Sequence, residues 1–170
     1  MTRQDYLYKW FWYAMALLPV WLLEFLIFPS LPVSVIRPVL LPVAVAAAAL
    51  LEGPRAGAWY GLTAGLLFYA SLPGEGVWLV PLLALGGFLV GTASLAGLTP
   101  GFPGCLLCSA GILALLDLMR LFSRLSEEGT GLIPLLRVAG SELCVSLLFV
   151  APIYLLYRKV YDRVGGTKLA

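Results

Sequence analysis

The chain has 170 residues, of which 61% are hydrophobic and only 12% charged; its net charge is +2 and it contains no histidine. With a mean hydropathy of +0.96 and less than half the roughly 25% charge of an average domain, it cannot be a water-soluble globule, whose shell needs more charge. Intrinsic disorder is excluded by the hydrophobicity, a membrane β-barrel by apolar residues that run in unbroken blocks, and a nucleic-acid partner by the lack of any basic arm.

About 20 apolar residues cross a bilayer core, and six stretches are predicted to do so. They form one all-α, polytopic bundle over residues 1–164, followed by a flexible tail, 165–170. The first span, 10–28, is stopped by Pro29 and Pro32. Its N-terminal flank carries Arg3 and Lys9, but the apolar stretch is long and aromatic and no small-x-small cleavage site follows, so it reads as a retained span and not a signal peptide. The second, 33–51, has Arg37 and Pro38 in its first turns and an alanine run from Ala44 to Ala49. The third, 56–72, follows the short turn Glu52-Gly53-Pro54-Arg55. The fourth, 77–98, follows Pro73-Gly74-Glu75-Gly76, and the fifth, 102–122, follows Thr99-Pro100-Gly101. The sixth, 134–160, follows a polar loop over 123–131. Gly and Pro mark nearly every boundary, as turn chemistry requires.

An even number of spans puts both termini on one side. That side holds Arg3, Lys9, Arg55, Arg158, Lys159, Arg163 and Lys168; the other holds Arg37, Arg120, Arg124 and Arg137. The excess of positive charge predicts that both termini face the cytoplasm. Tyr6, Tyr8, Trp10, Trp12, Tyr157 and Tyr161 gather at the same face, as an aromatic belt does. Arg55, Arg158, Lys159 and Arg163 serve topology there and attract anionic lipid.

Gly57, Gly61 and Gly65 recur every four residues along one face of the third span, and Gly87 and Gly91 repeat the spacing in the fourth, as Ala44 and Ala48 do in the second. Such seams let another helix approach closely, either from within the bundle or from a partner protein. Three acids lie inside spans: Glu24, Asp117 and Glu142. A charge at the bilayer centre costs about 2.5–3.5 kcal/mol on insertion scales, so each is a functional candidate. Glu24 is near the outer end of its span. Asp117 can pair with Arg120 three residues on. Glu142 is the deepest, and Arg137, five residues earlier, lies too far round the helix to pair well with it.

Chemistry is restricted. Without histidine there is no Ser–His or Cys–His pair and no His-ligated metal. Cys105, Cys108 and Cys144 lie in apolar stretches, and one C-x-x-C pair without a second is a weak metal or redox signal. The expectation is a non-enzymatic protein with no cofactor and no metal.

The stretch Glu52-Gly-Pro-Arg-Ala-Gly57-Ala-Trp-Tyr-Gly61-Leu-Thr-Ala-Gly65-Leu-Leu-Phe-Tyr resembles the rod shape-determining protein MreD family in its G-x-x-x-G-x-x-x-G-L-L pattern after a Pro-containing second span. Val150-Ala-Pro152-Ile-Tyr154-Leu-Leu-Tyr-Arg158-Lys159 is similar to that family's proline-interrupted final helix with a basic end. One departure stands out: many members carry an aspartate shortly after G-L-L, where this chain has Phe68 and Tyr69. The resemblance implies a membrane scaffold of the bacterial cell-elongation machinery for peptidoglycan synthesis in the inner membrane. Its partners would be membrane lipid, an MreC-like single-span protein and other elongation-complex proteins, among them the RodA polymerase and its penicillin-binding partner. It also implies a fold like that of the substrate-binding subunits of energy-coupling-factor vitamin transporters. That gives the rival expectation, a small-molecule pocket built from Trp21, Glu24, Trp78 and Glu142 near the outer half.

Overall fold

The computed structural model describes residues 3–30, 38–71, 77–97, 101–128 and 132–164. These are all-α, with no strand among them. Helix α1 (Arg3–Leu22) continues through a π-helical turn (Leu23–Ile27) into a last short turn, α2 (Phe28–Ser30). Then come α3 (Leu41–Glu52), α4 (Pro54–Ser71), α5 (Leu79–Leu95), α6 (Phe102–Glu128), α7 (Leu132–Leu148) and α8 (Val150–Val164).

Helix α3 is the centre of the bundle. All twelve of its residues are buried, and it packs against α1, α4, α5, α6 and α8. Its alanines explain this, because small side chains let neighbours close in from every side. Pro42 suits its first turn, where an N–H would be unmatched anyway. Its end is set by Gly53, whose φ of 97° is a conformation glycine adopts without steric cost. The Gly53 N–H closes on the Ala49 carbonyl at 2.9 Å, and Pro54 starts α4 at once.

The glycine seam lies between α4 and α5. A Cβ built on Gly57 or Gly61 would collide with the backbone carbonyl of Gly87 or Leu83, and one on Gly65 would lie 2.9 Å from Val80 Cα. From the other side, Gly87 abuts the Gly57 carbonyl and Gly91 abuts Pro54. These five glycines therefore meet backbone of this same chain, and α4 and α5 are the most closely apposed pair in the bundle.

Several boundaries differ from expectation. The second span was predicted over 33–51, but the helix begins at Leu41; Pro38–Leu40 is not helical, and 33–37, with Arg37, lies outside the described residues. At twelve residues α3 is about 18 Å long, short of the roughly 30 Å of a bilayer core. The predicted sixth span, 134–160, is two helices, broken at Phe149 with a bend of 44°. Pro152 accounts for the break, since it has no N–H for the preceding turn; Phe149 N–H bonds back only three residues, to the Ser146 carbonyl at 3.1 Å. The predicted polar loop starts too early, because α6 runs on to Glu128. The tail 165–170 is outside the described residues.

Two helical stretches are long and apolar enough to cross a membrane, Tyr8–Ile27 and Phe102–Phe122, and the bent pair Ala139–Leu148 and Val150–Val164 is a third if taken as one span. Helices α3 and α5 are shorter and also apolar.

Candidate functional site

Both ends of α3 are tied into the bundle by polar side chains. At its N-terminus the first N–H groups of a helix need acceptors from outside it. Glu24, carried on the π-helical turn, accepts from Leu40 N–H at 3.1 Å and Leu41 N–H at 2.8 Å through one carboxylate oxygen. Ser146 Oγ on α7 accepts from Val39 N–H at 2.9 Å and donates to its own helix, to the Glu142 carbonyl at 2.7 Å. Negative charge suits this end of a helix dipole. Three irregular pieces of backbone meet here: the π-helical turn, the start of α3 and the α7–α8 break. Phe28 stacks edge-on against Phe149 with ring centroids 5.4 Å apart, joining the first to the last.

The neighbouring contacts continue this first knot. Trp21 Nε1 donates to Ser71 Oγ at 2.9 Å. Phe25 meets Phe68 edge-on at 5.7 Å. The guanidinium of Arg120 lies 5.6 Å over the Phe68 ring and 3.8 Å from the Glu142 carboxylate. Glu142 thus has a basic partner on α6, which its own helix did not offer. Asp117, expected to pair with Arg120, is half-buried one turn before it, while the described ion pair of Arg120 goes to Glu142. The aromatic face of Phe68 receives this cation.

The other end of α3 holds a second knot that sequence reasoning missed. Glu52, expected in the short turn before the third span, ends α3 and is only 3% exposed. It is ion-paired with Lys9, and Tyr13 donates to its other oxygen at 2.7 Å. Tyr60 donates to the Tyr13 carbonyl at 3.3 Å and also touches the Tyr157 hydroxyl. The two hydroxyls share one hydrogen bond, in which either can donate. Helices α1, α3, α4 and α8 are joined in this way. The space left among Lys9, Tyr13, Glu52 and Tyr60 is about 10 Å³, room for a single water at most.

Beside this knot a slot of about 420 Å³ opens between α1 and α4, from Trp10 and Tyr60 at its foot to Leu18 and Leu67 at its head. Arg55, Arg158, Lys159 and Arg163 are all exposed at the foot end of the bundle, and the Arg163 guanidinium lies 5.4 Å over the Trp12 ring. Of the expected pocket residues, Trp21, Glu24 and Glu142 share the first knot, engaged with Ser71, the start of α3 and Arg120; Trp78 packs against the apolar core.

No protein-family model matches this chain, and neither a curated protein nor a solved structure matches it.

Proposed function

We propose that the protein is a non-enzymatic integral membrane scaffold of the bacterial cell-elongation machinery, crossing the inner membrane six times with both termini in the cytoplasm. The reading rests on the MreD-like stretches at 52–69 and 150–159. The observation that carries it is the use of the interior. Helix α3 fills the centre, and the glycine seams are consumed between α4 and α5, so side chains for partners remain on the outside. Phe11, Met15, Leu18, Leu22 and Leu26 form one exposed apolar stripe along α1 and the π-helical turn, each at least 40% exposed. A single-span partner of the MreC type fits such a stripe through packing in lipid.

Co-purification in mild detergent tests this. The scaffold is expected to retain an MreC-like protein, and substitution of Met15 and Leu22 by Ser is expected to release it without loss of expression. A monomer that retains no membrane partner would overturn the reading.

The first knot favours one rival, a substrate-binding subunit of a vitamin transporter, because it gathers Trp21, Glu24, Arg120 and Glu142 from three helices. Stabilisation by a vitamin in a thermal-shift screen would decide for it.

A further inference from the structure

We infer that the slot between α1 and α4 is a binding site for one acyl chain of an anionic phospholipid, with the headgroup at the Arg55 end of the bundle. This goes beyond the proposed scaffold role, since the occupant is a lipid and not a protein partner.

Shape comes first. Helices α1 and α4 run parallel, because their N-terminal halves meet at Tyr13 and Tyr60 and their C-terminal halves at Trp21 and Ser71. Hydrogen bonds bridge the two helices at two levels: Tyr60 OH to the Tyr13 carbonyl at 3.3 Å, and Trp21 Nε1 to Ser71 Oγ at 2.9 Å. Around the first bridge and short of the second, the helices stand apart to leave about 420 Å³. From Trp10 to Leu18 the slot is about 12 Å long. A helix, about 10–12 Å across, is too wide to enter a gap crossed by these two bridges. A single hydrocarbon chain is thin enough to lie in it.

Chemistry agrees. Apart from the Trp10 ring N–H, the walls carry two polar groups, both engaged: the Thr63 hydroxyl donates to the Tyr60 carbonyl at 2.8 Å, and the Tyr60 hydroxyl to the Tyr13 carbonyl at 3.3 Å. A pocket for a polar small molecule would need a few convergent polar groups, whereas this one offers mostly hydrocarbon. Charge then selects the lipid. The foot of the slot lies at the basic end, with exposed Arg55 five residues before Tyr60 on α4 and exposed Arg158, Lys159 and Arg163 on α8; Asp162 is the exposed acid on that helix. Basic residues beside a membrane attract anionic headgroups.

Native mass spectrometry of the full chain, with added phosphatidylglycerol or phosphatidylcholine, tests the site. The wild type is expected to hold one phosphatidylglycerol at least tenfold more tightly than phosphatidylcholine. Ala14→Phe and Thr63→Phe, on opposite walls at exposed positions, are expected to lose that retention with unchanged melting temperature. Arg55→Gln is expected to reduce the headgroup preference several-fold while the adduct persists. Retention in both filled variants equal to wild type, equal binding of the two lipids, or a co-purifying protein helix in place of the lipid would overturn the inference. A readout free of the filling variants uses vesicles with mid-chain brominated lipid. The fluorescence lost on Trp10→Phe should be quenched more by brominated phosphatidylglycerol than by brominated phosphatidylcholine, and equal quenching would count against the site.

Discussion

Lys9 and Glu52 face each other as an ion pair inside the bundle, with side chains only 5% and 4% exposed. Removing one partner of such a pair leaves a buried charge uncompensated, which costs about 3–5 kcal/mol, whereas removing both is far milder. Lys9→Met is therefore expected to lower the melting temperature in detergent sharply, and Lys9→Met with Glu52→Gln to recover most of the loss. A double variant as unstable as the single would refute the pairing.

Glu24 is expected to act as an acceptor for the start of α3. Glu24→Gln keeps an oxygen for the Leu40 and Leu41 N–H groups and should change stability little. Glu24→Leu leaves two buried donors unmatched, at about 1–3 kcal/mol each. Thermal melting distinguishes the two, and equal losses would show that charge, not acceptance, is what matters.

Within the glycine seam, Gly61→Leu must push against the Leu83 carbonyl of α5. Overpacking of this kind costs about 1–3 kcal/mol or more, so expression and partner pull-down should fall together. Gly111→Leu and Gly140→Leu, where nothing lies within 4 Å of an added Cβ, should leave both unchanged. Normal expression of Gly61→Leu with lost pull-down would instead make the seam a docking surface.

The Arg120 contacts predict a smaller effect. The ring beneath its guanidinium is worth about 0.5–1 kcal/mol, and Phe68→Leu should cost that much beyond its lost packing. A thermodynamic cycle between Phe68→Leu and Arg120→Met reads the coupling directly; additivity of the two would remove the cation–π contact from the account.

Composition alone made the helical, apolar character of the chain legible, and four-residue glycine spacing located the closest helix contact. Three things were hidden, each for a physical reason. Glu52-Gly53-Pro54-Arg55 has the chemistry of a surface turn. Only the tertiary fold shows that this turn is tight enough to leave Glu52 inside, because its partner Lys9 is distant in sequence. The shortness of α3 was masked by apolar residues before it, which extend the hydropathy signal past the helix. The break at Phe149 was masked in the same way: Pro152 was visible, but an apolar run reads as one span whether or not its axis bends. Glu142 was recognised as needing a partner, yet its cation comes from a neighbouring helix, and no spacing rule reaches across helices.

The ties on α3 have a consequence for synthesis. Val39 and Tyr60 leave the ribosome well before their hydrogen-bonding partners Ser146 and Tyr157, which lie 107 and 97 residues further along the chain. The middle of the molecule is laid down early and sealed late. A nascent chain halted before α7 would hold that middle unfinished at both ends, an opening that proteases and chaperones of the membrane are placed to notice.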